Sequence, residues 1–175
     1  MEFADLVQAV QSLKAEDAFG ARLDVHQWRA LSRYMAMDTL RAGHTLIRQG
    51  ERKRNLYFLG EGHLQMTLDE APFGRFRTEL LRPGALVGES GLFGDEPHLA
   101  TVEAMTPVTL WELSFPRFEE LSQRLPNLAL EVMRGAGAVM TVRQRLQLAR
   151  LAVHAMSRNG ALNGEPVTQP MDLAA

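Results

Sequence analysis

The strongest constraint on the fold lies between Pro83 and Thr101, in the run Pro-Gly-Ala-Leu-Val-Gly-Glu-Ser-Gly-Leu-Phe-Gly-Asp-Glu-Pro-His-Leu-Ala-Thr. A Pro-Gly turn leads into a short apolar pair, then Gly88-Glu89, a second short apolar run, a Gly-Asp-Glu-Pro loop and a return to alternation from Leu99. Gly88 frees the backbone to take a positive φ and to approach a ligand closely. A helical turn over residues 89 to 93 aims free amides at whatever stands before it, which makes an anion site. A carboxylate beside that site is out of place for plain phosphate binding. It has a purpose if the ligand also carries a hydroxyl for Glu89 to accept.

The stretch sits inside a region of short strands and turns. Thr45 to Arg48, Leu56 to Leu59, His63 to Leu68, Arg75 to Leu81, Leu99 to Met105 and Val108 to Leu113 read as strands. Leu64, Met66 and Leu68 alternate with His63, Gln65 and Thr67, the pattern of a half-buried antiparallel strand. Turn signals at Gly43, Gly50, Gly60, Gly62, Gly74 and Gly84 recur at the spacing of a sandwich or jelly roll.

Helices flank this region. Residues 2 to 19 carry Phe3, Leu6, Val7, Val10 and Leu13 at helical spacing, with Gly20 placed as a stop. A second helix runs from Asp24, its N-cap, to Met37. Both either pack on the domain or, for the first, dock a partner. Ser114 to Arg124 fits a short helix with Pro116 in its first turn. From Pro126 a long helix extends to about Met156, with Val132, Gly135, Val139, Val142, Leu146, Ala149 and Val153 alternating spacings of three and four. Such a helix spans roughly 45 Å, more than one small barrel needs. Its seam either meets a second copy or lies along its own barrel. Residues 158 to 175 read as a flexible polar tail.

Gly88-Glu89, with Ala100-Thr101-Val102 after it, resembles the phosphate-binding cassette of the cyclic-nucleotide-binding domain family. The resemblance covers about residues 25 to 156. Gly43 to Gly50 looks like the first hairpin of that family's β-roll, and Leu56 to Gly62 like its next strand and turn. It implies a mainly β jelly roll with flanking helices and a long C-terminal helix, divided as residues 1–24, 25–125, 126–157 and 158–175. It also implies that Glu89 takes a ribose hydroxyl and that the amides following Gly88, with Ser90, take a phosphate; Arg143 and Gln144 fall where the family contacts the base, or else are only the flank of the helix seam. In the family an Arg pairs with the phosphate two residues before the Ala. Here that position is His98, and Leu99 stands in place of a small residue, where it would crowd the phosphate.

Arg offers a permanent charge and a fork of donors; an imidazole offers one or two donors and is only partly charged near neutral pH. A phosphate held by His98 therefore binds more strongly toward lower pH, whereas an idle His98 is an exposed loop residue. Arg75, Arg77 and Arg82 could add charge from the neighbouring strand. The family's transcription factors carry a DNA-reading module after the long helix, and the nineteen residues after Met156 are too few for one. The net charge of −2 adds no basic field, and the basic run Arg48 to Arg54 is interrupted by Glu51 and reads as a solvated loop.

The chain has no Cys, its five His are dispersed, and it has neither a Gly-x-Ser-x-Gly elbow nor a Walker-type loop. No apolar run is long enough to span a membrane, and the start lacks a signal peptide's pattern. The expectation is a cytoplasmic, non-enzymatic sensing module that needs no cofactor and binds cyclic AMP, cyclic GMP or a related nucleotide phosphate. It would form a homodimer through residues 126–157 and signal to an effector protein, with no contact to nucleic acid or membrane. The alternative is a degenerate β-roll that binds nothing and serves as a dimeric scaffold.

Overall fold

The computed structural model describes residues 2–70 and 74–162. The chain divides into two units, residues 1–143 and 144–175. The first opens with α1 (Phe3–Ser12) and α2 (Val25–Ser32). Eight strands follow: β1 (Ala36–Leu40), β2 (Thr45–Ile47), β3 (Asn55–Glu61), β4 (Leu64–Glu70), β5 (Gly74–Leu81), β6 (Leu86–Val87), β7 (Thr101–Ala104) and β8 (Val108–Ser114). A 3₁₀ turn, Glu89–Leu92, stands between β6 and β7. Then come α3 (Phe115–Arg124) and α4 (Pro126–Leu162), whose last part, from Gln144, makes up the described portion of the second unit.

The strands form two antiparallel sheets, ordered β1-β8-β3-β6 and β2-β7-β4-β5. Leu56-Tyr57-Phe58-Leu59 shows why the roll closes. Tyr57 and Leu59 enter the core between the sheets with Ile47, Leu64, Val102 and Leu110, while Leu56 and Phe58 enter a second core with Trp28, Leu121 and Val132. A strand covered on both faces needs an unbroken apolar run, and β3 has one. The N-terminal helix rests on the Pro83-Gly84 turn: a Cβ at 84 would lie 2.3 Å from the Ala9 carbonyl oxygen.

The elements depart from expectation where tertiary demands override local pattern. The first helix stops at Ser12, not near residue 19, because Leu13 turns extended and the segment after it sends Asp17 and Phe19 into the protein. The second helix keeps its Asp24 cap, with Gln27 N–H donating to Asp24 at 2.8 Å, but ends at Ser32. Residues 36–40 are instead claimed by the edge of β8, from Ala36 opposite Glu112 to Leu40 opposite Val108. On β4, Gln65 is buried rather than exposed, and just beyond it, between Met66 and Thr67, the pairing with β5 shifts register. Gln65 Nε2 fills that irregularity by donating to the carbonyls of Met66 (3.0 Å) and Glu79 (2.6 Å).

On α4 the first half of the expected seam is spent inside the domain. Val132, Ala136 and Val139 are buried in the same core as Phe19, Trp28 and Phe58. The helix runs on to Leu162, past the expected end at residue 157. The rest of the expected tail, 163–175, lies outside the described residues.

Candidate functional site

Val87 leaves β6 and the chain reverses at Gly88, whose φ of +80° lies in the left-handed region. A Cβ there would sit 2.1 Å from the Asn55 carbonyl oxygen, so only glycine lets the turn press onto the start of β3. The 3₁₀ turn is closed by Gly91 N–H to Gly88 O and Phe93 N–H to Ser90 O, both 3.1 Å. The amides of Glu89 and Ser90, first in the turn, have no intrahelical acceptor. The expected helical turn is therefore in place.

Glu89 faces the interior, with its side chain only 12% exposed. Arg143 of α4 reaches it, with Nη1 donating to both carboxylate oxygens at 3.2 Å. The same guanidinium donates from Nε to Asp17 Oδ2 at 2.7 Å. Its Nη2 also lies 2.7 Å from that oxygen, but off the hydrogen-bonding line, so this buried donor completes no hydrogen bond among the described residues. Glu79 adds a third carboxylate 3.9 Å from Nε, placed beside the β4–β5 bulge. Burial works against the charge of Arg143, yet Glu89, Asp17 and Glu79 outweigh it and raise its pKa above the ordinary value.

Arg143 is thus engaged with carboxylates and is not a free base-contacting side chain. Gln144, the next residue, is exposed on its own unit. Asp17 and Glu79 went unmarked in the sequence: Asp17 lies in the polar run Lys-Ala-Glu-Asp, 126 residues from its partner.

His98 is neither an exposed loop residue nor open to an anion. It is 7% exposed, and its Nε2 donates to the Lys53 carbonyl at 2.6 Å. A carbonyl only accepts, so Nε2 carries the hydrogen, and in the neutral ring Nδ1 accepts from the Ser90 hydroxyl at 3.3 Å. Its backbone joins the same loop, with His98 N–H to Glu51 O at 2.9 Å and Gly50 N–H to His98 O at 2.8 Å. His98 is a clasp between the cassette and residues 50–53. Leu99 is 64% exposed, so it does not fill the turn, and Ala100 is half-buried. Thr101 Oγ1 accepts from Gln49 N–H at 3.1 Å.

The basic run is not merely solvated. Arg54 Nε donates to Gly91 O at 3.1 Å while its guanidinium lies over the Phe115 ring, and Arg52 binds the Asp95 carbonyl. These cations hold the outside of the cassette. Arg82 is exposed, and the side chains of Arg75 and Arg77 lie outside the described residues. Among the described residues no cluster of three or more His, Asp or Glu could hold a metal, and no helix is long and apolar enough to cross a membrane.

Residues 37–124 match the family of the cyclic nucleotide-binding domain. The chain is 34% identical over 85 residues to the cGMP-dependent protein kinase egl-4 of Caenorhabditis elegans, covering 49% of this chain and 10% of the kinase. It is 29% identical over 89 residues to the cAMP-activated global transcriptional regulator CRP of Salmonella typhimurium, covering 50% of this chain and 42% of the regulator. The chain thus matches a tenth of the kinase and less than half of the regulator. Among solved structures, the N-terminal domain of a transcriptional regulator from Streptomyces coelicolor is 29% identical, with a TM-score of 0.61 over 77% of this chain and 90% of that one. A cyclic nucleotide-binding domain from Methylobacillus flagellatus shares the fold at 20% identity, with a TM-score of 0.75 over 87% and 83% of the two chains. With the roll, the cassette turn and the match over residues 37–124 together, the chain belongs to the cyclic nucleotide-binding domain family.

Proposed function

We propose that this chain is a regulatory module that senses a cyclic nucleotide. The observation that carries the reading is the cassette itself: Gly88 in its left-handed conformation, a turn with open amides, and a Glu89 carboxylate turned inward at its start. Arg143 does not exhaust that carboxylate. Two oxygens offer about four lone-pair sites, and the two bonds from Nη1 are long at 3.2 Å, leaving room for a ribose hydroxyl. The amides of Glu89 and Ser90 receive the phosphate. Arg143, a buried cation with one unsatisfied donor, supplies the charge that His98 does not.

The cyclic nucleotide-binding fold is a regulatory one, and no step of catalysis is assigned to this chain. We place a homodimer contact on the part of α4 beyond Arg143, where Leu148 is 67% exposed, because the first half of the seam is already buried. Signalling passes from there to an effector protein.

Titration calorimetry with cyclic AMP and cyclic GMP at pH 6 and pH 8 tests the reading. Saturable binding of either is expected, with little difference between the two pH values, since His98 is held by Lys53 and Ser90. Absence of heat from folded protein at millimolar ligand would remove it. The second reading, a dimeric scaffold without ligand, is favoured by one observation: Glu89 and His98 both have partners within the protein. Light scattering that shows a stable dimer, together with no nucleotide heat, would support it.

A further inference from the structure

Residues 13–24 join α1 to α2 with neither helix nor strand. Between Lys14 and Leu23 the sole backbone hydrogen bond among the described residues runs from Ala18 N–H to Ala15 O, at 3.1 Å. Asp17, Phe19 and Leu23 are the buried side chains that hold this strap down. Phe19 is buried edge-on against Phe58, with ring centroids 5.2 Å apart, and faces Gly135 of α4. Asp17, 5% exposed, has Arg143 as its partner. A buried carboxylate stripped of its one cation is strongly unfavourable. The docking of the strap therefore depends on a guanidinium that the ligand site also uses.

We propose that the strap is the reporter of the site: an anionic ligand on the cassette and the docked strap compete for Arg143. This rests on the reading that Glu89 and Arg143 receive a cyclic nucleotide. Buried Asp17 and part-buried Glu89 already share the guanidinium, with Glu79 farther off, and a phosphate beside it adds still more negative charge. One carboxylate must withdraw. Glu89 is fixed in a turn pressed onto β3 and Glu79 stands in a strand ladder, while Asp17 sits on a segment almost without backbone bonds. Asp17 is the one that leaves, and Phe19 leaves the Gly135 face with it. Ligand binding thus undocks residues 13–24 and uncovers the surface of α4 beneath them. By linkage the effect is reciprocal, so weakening the strap strengthens the ligand.

The experiment pairs calorimetry with hydrogen exchange on the whole chain. Asp17→Asn should bind cyclic AMP roughly tenfold more tightly than the parent protein. Glu16→Gln, which removes an exposed neighbouring charge, should not. Saturating cyclic AMP should speed exchange across residues 13–23 in the parent. Equal affinities for Asp17→Asn and the parent, with strap exchange indifferent to ligand, would overturn the proposal.

A ligand-free arm separates it from the nucleotide reading. Glu89→Gln leaves Arg143 to Asp17 and the more distant Glu79, so exchange across the strap should slow; no change there would refute the coupling. Slowed exchange in Glu89→Gln, with no cyclic AMP bound by the parent or by Asp17→Asn, would support the coupling and overturn the nucleotide reading alone.

Discussion

Gly135 of α4 faces the Phe19 ring so closely that a Cβ at 135 would lie 2.2 Å from Phe19 Cε2. The ring has no room to retreat, because Phe58 and Trp28 stand edge-on to it at centroid distances of 5.2 and 6.2 Å. Gly135→Ala gains ~1 kcal/mol of helix propensity but overpacks the core at a cost of ~1–3 kcal/mol. We expect a net loss, read as a lower urea midpoint. Gly137→Ala meets the Phe93 ring no closer than 3.4 Å, an ordinary contact, and should raise the midpoint by about the propensity gain. A fall in both variants would mean that the helix, not the strap, sets their tolerance.

Two glycines two residues apart on one helix have opposite expected signs, and nothing in the local sequence tells them apart. The cassette was legible because its parts are contiguous: Gly88, the 3₁₀ turn and Glu89 are set by neighbours in the chain. The double-faced β3 was legible for the same reason, as an unbroken apolar run. β1 was not, since Ala36 to Thr39 are exposed and carry no alternation, and what makes them a strand is the open edge of β8. The Arg143 cluster draws on α4, the strap, β5 and the cassette, and no periodicity signals a contact of that range. His98 could be seen as a departure from the family's Arg, but its bond to the Lys53 carbonyl needed the fold of residues 50–53.

Arg143→Met should be among the most destabilising single changes in the domain. It leaves buried Asp17 and part-buried Glu89 without their cation, a situation that costs ~3–5 kcal/mol where one partner of a buried pair is removed. Adding Asp17→Asn and Glu89→Gln to Arg143→Met should recover a large part of that loss, because unpaired buried charge rather than lost attraction dominates it. Chemical denaturation of the single and the triple variant measures this. A triple variant no more stable than Arg143→Met would show that the guanidinium acts by packing alone.

The alkaline limb of the stability curve should carry the mark of Lys53. Partial burial opposes its charge, but its hydrogen bond to Tyr57 and the charges of Tyr57, Glu112 and Glu51 raise its pKa above the ordinary value of 10.5. A cationic group raised on folding contributes stability that is fully present below its unfolded pKa and is lost as pH rises through the higher folded value. Stability should therefore decline above about pH 10.5 more steeply in the parent than in Lys53→Gln. Midpoints measured from pH 9 upward check this, and parallel curves would exclude Lys53 from the limb.

His98 should answer to stability before it answers to ligand. His98→Ala leaves the Lys53 carbonyl without its donor and the Ser90 hydroxyl without its acceptor, and an unsatisfied buried polar group costs ~1–3 kcal/mol. His98→Asn keeps a donor and should restore part of that loss. His98→Arg has to give up the clasp to present its guanidinium to a phosphate, so it should be less stable than the parent without ligand. If the remaining cassette works, cyclic AMP should then raise the Tm of His98→Arg more than that of the parent, by mass action on the folded state. A His98→Arg protein as stable as the parent, and indifferent to millimolar cyclic AMP, would mean that the clasp is dispensable and that changing this position alone does not confer nucleotide binding.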